Sequence, residues 1–426
     1  MKINVFFGKE IKNASWLVGG KILQMIISFF VSILTARYLG PNNYGLINYA
    51  GAYIAFFTSI CTLGINSVII KEFFDFPESQ GETIGTSIFM RFLSSILSAI
   101  TIIATVMVVD ADEPTTIIVV VLSSIALLFQ VFDTFNYWFQ SLYQSKVTAI
   151  ATLIAYIVTT IYRIILLWRG ANVKWFAFAS SVDYIVLAVV LSSAYKHKNG
   201  PRLSVSLARG KYIISKSYHY ILSGMMVAIY AQTDKIMLKQ MLDESSVGFY
   251  SLASSLNHMW VFVLAAVIDS MYPTILKLYN KDSEAFKRKN KQLYAVVIYL
   301  SAFVALCFVL FGKYIILILY GEEYLPAASP LKIITWYTVF SYLGVARNAW
   351  MVCTNNQKYL KYICLSAAII NVFLNLILIP FMGAAGAALA SLITEICTSI
   401  VVPCFIPKMR ENVKLMAEAA LLRGLK

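Results

Sequence analysis

The chain has 426 residues, of which 59% are hydrophobic and only 13% are Asp, Glu, Lys or Arg, and its mean hydropathy is +0.74. A soluble domain carries a surface that is about 25–35% charged, so this composition excludes a soluble enzyme and a soluble binding protein. The formal net charge is +14. In a membrane chain such an excess reflects topology and contact with anionic lipid, and the sequence has no nucleic-acid motif and no Cys/His spacing for zinc.

Long apolar runs separated by short charged segments follow one another along the whole sequence. A membrane-spanning helix needs about 20 mostly apolar residues, and division of the chain at its charged, Pro and Gly breaks predicts about twelve such spans. The first run is longer than a signal-peptide core, so we interpret it as an uncleaved span that ends at Gly40 and Pro41. The predicted spans are 13–38, 44–70, 83–109, 115–140, 147–168, 175–195, 217–240, 247–276, 292–312, 331–354, 359–380 and 383–406.

Basic residues are distributed unevenly between the two faces that these spans define. With the N-terminus inside and residues at the span ends assigned to the adjoining face, 24 Lys and Arg fall on the cytoplasmic face, six fall on the opposite face and five lie in the interior of spans. Because short cytoplasmic loops are enriched in Lys and Arg, this distribution predicts that both termini are cytoplasmic.

A basic segment between Lys196 and Lys216 divides the predicted spans six and six, and matching residues recur on its two sides. The matched positions are Leu39, Gly45 and Ala50 with Leu242, Gly248 and Ala253, and Asn136, Trp138 and Lys146 with Asn348, Trp350 and Lys358. Because each half has an even number of spans, both halves enter the membrane from the same side, as in the parallel repeats of transporters. We therefore predict an all-α integral membrane fold of two six-helix lobes related by a parallel repeat.

The domain boundaries follow from the same breaks. We predict an N-terminal six-helix lobe at 1–200, a cytoplasmic basic linker at 201–216, a C-terminal six-helix lobe at 217–406 and a cytoplasmic amphipathic tail at 407–426. In the tail, Met409, Val413 and Met416 recur at helical spacing among basic residues, which is typical of an interfacial helix on the inner leaflet.

Away from the span ends, ten Asp, Glu, Lys and Arg side chains fall within the predicted spans. Each costs about 2.5–3.5 kcal/mol at mid-span, so the spans are expected to enclose a polar interior or internal ion pairs. Because Arg offers a bidentate fork and Lys a point charge to anionic groups, we assign four cations to a substrate cavity: Lys21, Arg163, Lys235 and Arg347. Buried carboxylates exchange protons or bind Na+, so the candidates for ion coupling are Asp133, Asp234 and Asp269. The candidates for structural charge are Arg91, Asp183 and Glu395.

Asp234 and Lys235 are neighbours in the sequence, so their side chains point about 100° apart on a helix and are not expected to pair. One of them can therefore face a cavity while the other faces a neighbouring helix. Snorkelling or structural pairing is the alternative for each intramembrane cation, and for Arg91 in particular, which lies near the cytoplasmic end of its predicted span.

Four stretches of sequence, together with the six-plus-six plan, resemble a known family across nearly the whole chain. The stretches are ARYLGPNNYGLINYA at 36–50, WFQSLYQSK at 138–146, TDKIML at 233–238 with VGFYSLA at 247–253, and NVFLNLILIPFMGAAGAALASLITE at 371–395. They resemble the oligosaccharide-lipid flippases of polysaccharide biosynthesis, in the multidrug/oligosaccharidyl-lipid/polysaccharide exporter superfamily.

The resemblance implies a protein of the bacterial cytoplasmic membrane that moves an oligosaccharide on a polyprenyl diphosphate carrier by alternating access. The implied partners are this lipid-linked oligosaccharide, membrane lipid, and the polymerase and glycosyltransferases of glycan synthesis. In the resembling family the first, second, seventh and eighth spans flank the central cavity, which favours Lys21, Asp234, Lys235 and Asp269.

The sequence shows no nucleophile constellation, phosphate loop or metal-ligand cluster, so we expect no catalytic residue, no metal site and no cofactor beyond a coupling Na+ or H+. The chain is therefore predicted to be a transporter and not an enzyme. The alternative function is a multidrug or small-molecule cation-coupled exporter of the same superfamily. A membrane enzyme that polymerises sugars is a third interpretation, but it would need a sizeable external loop with catalytic residues.

Overall fold

The computed structural model describes the backbone of residues 2–425 and the side chains of residues 24–425 apart from residues 26 and 67. The chain divides into two compact units, one made of residues 1–39 and 46–228 and the other of residues 40–45 and 229–426. The residues that the structure describes form helices, turns and short irregular segments without a strand. The predicted all-α class is confirmed.

Short connections separate successive helices along the chain in both units. The first eight are α1 (Lys2–Cys61), α2 (Asn66–Asp75), α3 (Gln80–Val109), α4 (Pro114–Gln130), α5 (Thr134–Ser141), α6 (Ser145–Trp168), α7 (Val173–His197) and α8 (Leu207–Met241). The next are α9 (Glu244–His258), α10 (Val261–Tyr279), α11 (Ser283–Tyr320), α12 (Ala328–Cys353), α13 (Leu360–Met382), α14 (Ala384–Ile396), α15 (Val402–Phe405) and α16 (Arg410–Ala420).

Within the described residues, eight helical runs are long and apolar enough to cross a membrane. They are Pro77–Val109, Pro114–Ser141, Ser145–Trp168, Val173–His197, Val261–Tyr279, Ser283–Tyr320, Gln357–Met382 and Ala384–Phe405. A multi-pass membrane protein is therefore confirmed, because each run is long enough to cross the apolar core of a bilayer. The count of twelve spans and the cytoplasmic position of both termini stay predictions.

Several of the predicted spans contain or adjoin a break in the regular helix. Helix α1 is kinked at Gly40, whose φ of 68° and ψ of 172° are accessible because glycine has no Cβ. The predicted span 115–140 is divided by a 3-10 turn at Val131–Asp133, and the predicted last span contains a π-helical turn at Cys397–Val401. Apolar periodicity continues through both turns, so the sequence pattern does not reveal them.

The second half of the predicted basic linker is helical, and its first half is bound to the first unit. Residues 201–206 run in non-helical conformation along the start of α3, where the Ser204 amide donates to the Gly81 carbonyl at 3.4 Å. A Cβ on Gly81 would lie 2.1 Å from the Arg202 carbonyl oxygen, so this glycine permits the close approach. At the start of α8, Arg209 forms an ion pair of 2.9 Å with Glu72, so residues 201–209 are anchored at both ends.

Two glycines at the predicted repeat positions pack against each other in the second unit. A Cβ on Gly45 would lie 1.7 Å from the Glu244 carbonyl oxygen at the start of α9, and one on Gly248 would lie 2.2 Å from the Pro41 carbonyl oxygen. Neither backbone can therefore carry a side chain at this contact. Backbone-to-backbone packing of this kind is typical of small residues between membrane helices.

The C-terminal helix α16 is amphipathic as predicted, but its apolar residues pack against protein. Met409, Leu415 and Met416 belong to the apolar core around Tyr294 of α11, and Lys291 of α11 forms an ion pair of 3.2 Å with Glu418. Met409 and Met416 thus pack on a protein surface that the N-terminal turns of α11 provide, and the interfacial, cytoplasmic position of the tail stays a prediction.

We expect Gly45→Ala to lower the free energy of unfolding by about 1–3 kcal/mol, because the added methyl group forces the backbones at this contact apart. The matched control is Gly51→Ala, since a Cβ there meets nothing within 4 Å and alanine favours a helix interior. Thermal unfolding of both purified variants in detergent checks this. Equal melting temperatures for the two variants would contradict the close-contact explanation.

Candidate ion and substrate site

Asp234 on α8 carries a carboxylate that is only 3% exposed and that accepts hydrogen bonds from three other helices. Asn371 and Asn375 of α13 donate from Nδ2 to its Oδ1 at 3.1 and 2.6 Å. Tyr250 of α9 and Ser391 of α14 donate from their hydroxyls to its Oδ2. All four neighbours therefore present hydrogen-bond donors to the two carboxylate oxygens.

Simple helical spacing brings the two amides together. Asn371 and Asn375 are four residues apart and therefore project from one face of α13, and Asn375 also donates to the Oδ1 of Asn371 at 3.1 Å. In the described part of the chain, the Oδ1 of Asn375 is buried without a hydrogen-bond partner. The carboxylate, the hydroxyls of Tyr250 and Ser391 and this one unpartnered amide oxygen are of the ligand type that hard cations prefer.

Asp234 also lines a cavity of about 330 Å³ that lies within the second unit. Its walls are mainly polar and aromatic: Tyr230, Ala231, Gln232, Lys235, Tyr250, Ser251, Ser254, Ser255, His258, Ile334, Tyr337 and Ser391 complete the lining. Ser255 and His258 are exposed, whereas Asp234 and Tyr250 are buried. The cavity therefore opens beside α9 and is closed at the carboxylate.

Lys235 is a half-buried cation in this cavity, and it has no hydrogen-bond or ion-pair partner among the described residues. Its sequence neighbour Asp234 is not such a partner, because adjacent side chains point in different directions around α8. Lys239, one turn further along α8, does have a partner, because its Nζ lies 3.0 Å from the Glu244 carboxylate. At the rim, the Nδ1 of His258 lies 2.7 Å from the Ser254 carbonyl oxygen, which leaves its Nε2 for other contacts.

A second carboxylate, Glu395 on α14, belongs to a neighbouring hydrogen-bond network. The Tyr230 hydroxyl donates to its Oε1, and the Tyr337 hydroxyl lies 2.8 Å from that of Tyr230. Thr398 donates to its Oε2 at 3.4 Å. Because Tyr230 and Tyr337 also line the cavity, Glu395 contacts the cavity wall from outside, and the structural charge predicted for it stays a prediction.

Arg347 on α12 is 3% exposed and binds the π-helical turn that follows Glu395. Its Nη1 donates to the carbonyl oxygens of Thr398 and Ser399 at 3.1 and 3.5 Å. A π turn disturbs the regular helical hydrogen bonds, so its carbonyls need another donor at membrane depth. Arg347 does not line the described cavity, and this geometry favours a structural role over the predicted contact with substrate.

Arg91 on α3 makes the same kind of contact with a helix break in the first unit. It is 2% exposed and donates to the hydroxyl of Thr134 at 2.9 Å and to the carbonyl oxygen of Gln130 at 3.1 Å. These atoms flank the 3-10 turn at Val131–Asp133. Asp133 is half-buried within electrostatic reach of Arg91, but among the described residues it makes no hydrogen bond or ion pair.

The remaining predicted site residues lie apart from the cavity or outside the described side chains. Thr159 donates to Asp183 at 3.3 Å, and Arg163 lies within electrostatic reach of that carboxylate. Asp269 is exposed on α10 and does not line the cavity. Lys21 lies outside the residues whose side chains are described. The roles assigned to these residues stay predictions.

Several residues of the site were not singled out from the sequence. Tyr230, Tyr250 and Tyr337 each place a hydroxyl against a buried carboxylate or against each other, and Asn371 shares Asp234 with Asn375. The spacing of Asn371 and Asn375 is a usable signal, because two amides one turn apart in an apolar span need a common partner. The tyrosines are spread too widely through the sequence to give such a signal.

The family model described as polysaccharide biosynthesis protein matches residues 11–279, which is more than half of the chain. No curated protein matches the sequence. The family match agrees with the stretches quoted above, because three of the four lie wholly within the matched residues.

Three solved structures illustrate the fold. The lipid II flippase MurJ in an inward closed conformation superposes with a TM-score of 0.71 at 15% identity, covering 95% of this chain and 91% of that one. An inward-facing multidrug resistance MATE family transporter of the MOP superfamily gives 0.68 at 13% identity, covering 92% and 95%. The MATE multidrug transporter DinF-BH gives 0.62 at 14% identity, covering 94% and 95%.

We expect Arg347→Ala to lower the free energy of unfolding by about 1–3 kcal/mol, because it leaves carbonyls of the π turn without a donor. Lys235→Ala is the matched comparison, since Lys235 has no partner to lose among the described residues. Thermal unfolding of the two detergent-purified variants separates a structural cation from a free one. If Lys235→Ala melts at a lower temperature than Arg347→Ala, Lys235 and not Arg347 is the structural cation.

Proposed function

Because the chain belongs to the polysaccharide biosynthesis protein family, we propose that it flips polyprenyl-diphosphate-linked oligosaccharide repeat units across a bacterial cytoplasmic membrane. Transport runs from the cytoplasmic to the outer leaflet by alternating access. The proposal rests on one observation, the polar cavity that holds Lys235 without a partner among the described residues. A cation without a partner is costly at membrane depth, and an anionic, hydroxyl-rich headgroup is the kind of ligand that offsets this cost.

The multidrug exporter is less well supported by the same cavity. Capture of a cationic drug would need a carboxylate that is open to the ligand, whereas the Asp234 carboxylate is buried behind four donors. The cation that remains available in the cavity is Lys235, which repels a positively charged drug. The charge arrangement therefore favours an anionic substrate.

The proposed transport is coupled to an ion gradient through Asp234. A proton would bind the carboxylate itself, and a Na+ ion would be held by oxygens of Asp234, Asn375 and Ser391. The buried Oδ1 of Asn375, which lacks a partner in the described chain, fits a bound cation. Of the three carboxylates predicted for coupling, Asp234 alone lines the described cavity.

Reconstitution tests the function directly. The purified protein in liposomes should move a polyprenyl-diphosphate oligosaccharide between leaflets, measured by the accessibility of the sugar to an added oxidant or lectin. Efflux of a cationic dye from the same liposomes is the competing result. Dye efflux without movement of the lipid-linked sugar would contradict the flippase proposal and favour the multidrug exporter.

We expect Asp234→Asn to flip at the same rate with and without an imposed Na+ or H+ gradient, because the amide neither ionises nor offers a charged ligand. Asp269→Asn should keep the gradient dependence of the wild type, since Asp269 is exposed away from the cavity. Separate Na+ and pH gradients identify the ion. Gradient dependence that survives in Asp234→Asn would rule out this carboxylate as the coupling site.

A further inference from the structure

From the geometry of the cavity, we infer that Lys235 is the recognition site for one carboxylate-bearing sugar of the transported repeat unit. The inference rests on the proposed flippase function and specifies its substrate class. The cavity holds the acidic sugar residue, and the Nζ of Lys235 binds the sugar carboxylate as a charge-assisted hydrogen-bond donor.

The lining of the described cavity offers a ligand one cation beside one carboxylate. Lys235 is the one Lys or Arg among the residues that line the described cavity. Asp234 lines the same cavity, but its oxygens already accept from four donors. A diphosphate carries at least two negative charges on several oxygens, and the cavity would match one of these charges and repel the other through Asp234. A monoanion fits this balance.

The size and chemistry of the lining indicate a sugar ring. A volume of about 330 Å³ is at the lower end of the range for ligand pockets, which is roughly 300–1,000 Å³. A small polar unit fills it, whereas a polyprenyl chain does not suit its polar walls. Gln232, Ser254 and Ser255 offer amide and hydroxyl groups to sugar hydroxyls, and Tyr230 and Tyr337 offer aromatic surface.

The route into the cavity also fits a sugar that is attached to a longer headgroup. Ser255 and His258 are exposed where the cavity opens, Lys235 in the lining is half-buried, and Asp234 is buried. The acidic residue can therefore enter while the rest of the oligosaccharide stays outside. The Nε2 of His258 is positioned at the opening as a further hydrogen-bonding group, because its Nδ1 is already bound to the Ser254 carbonyl.

The test uses two lipid-linked probes that differ in one group. The first is a polyprenyl-diphosphate glucosyl-glucuronic acid, and the second is its reduced counterpart, in which glucose replaces the glucuronic acid. Flipping of each probe is measured in liposomes that contain wild-type protein or a Lys235 variant. We expect the wild type to prefer the acidic probe, and Lys235→Gln to reduce transport of that probe by about 10- to 100-fold, the loss expected for one charge-assisted hydrogen bond.

Two further variants separate the charge at this position from charge on α8 in general. Lys235→Arg should keep the preference, because it keeps the positive charge. Lys239→Gln should also keep the preference. Lys239 lies one turn after Lys235, but it is paired with Glu244 and lies outside the cavity lining. Equal transport of both probes by the wild type, or a preference that survives in Lys235→Gln, would overturn the inference.

A binding experiment keeps this result separate from the proposed function. Methyl glucuronide and methyl glucoside are compared as ligands of the detergent-purified full chain by saturation-transfer NMR, with melting curves to confirm that each variant is folded. If neither lipid-linked probe is flipped but glucuronide binding depends on Lys235, the flippase proposal fails and the acidic-sugar site stands. Absence of glucuronide binding in a folded wild type that flips both probes removes the site and leaves the flippase.

Discussion

Burial of the Asp234 carboxylate is the constraint on which the polar interior of the second unit depends. A carboxyl group at 3% exposure is tolerated only where its oxygens receive enough hydrogen bonds to offset the loss of water. The donors come from α9, α13 and α14, so one side chain on α8 is bound to three other helices. The spacing of Asn371 and Asn375 suits this contact, because residues four apart project from one face of α13 and can share the same carboxylate oxygen.

Two buried arginines offset a different free-energy cost, that of irregular helical turns in a membrane. The 3-10 turn after α4 and the π turn after α14 expose backbone carbonyls that regular helices would satisfy. Arg91 and Arg347 donate to carbonyls at these two turns. The guanidinium group suits this task because it presents five donors in a planar fork. These arginines therefore bind breaks in the helices, whereas Lys235 is the Lys or Arg that lines the cavity among the side chains that the structure describes.

The sequence predicts much of the fold, because its physical signals are local. Apolar runs of membrane length, the break at Gly40 and the glycines at 45 and 248 can be recognised without tertiary information. Polar partners are harder to predict. Arg347 has the same signature as Lys235, a cation in an apolar run, and its distinct environment depends on a π turn about fifty residues further along the chain. The apolar face of α16 is likewise visible in the sequence, but its protein partner on α11 is not.

The adjacency of Asp234 and Lys235 would join the proposed ion site and the proposed substrate site without a long pathway. Their side chains point about 100° apart on α8, so one faces the donors of α13 and α14 while the other lies along the cavity. In surroundings of low dielectric constant, a charge change at one of them alters the electrostatic potential at the other strongly. A proton or cation on Asp234 removes the negative charge nearest to Lys235 and strengthens the binding of an anion there. By linkage the bound anion favours the cation by the same factor, so neighbouring positions on one helix can couple the two ligands.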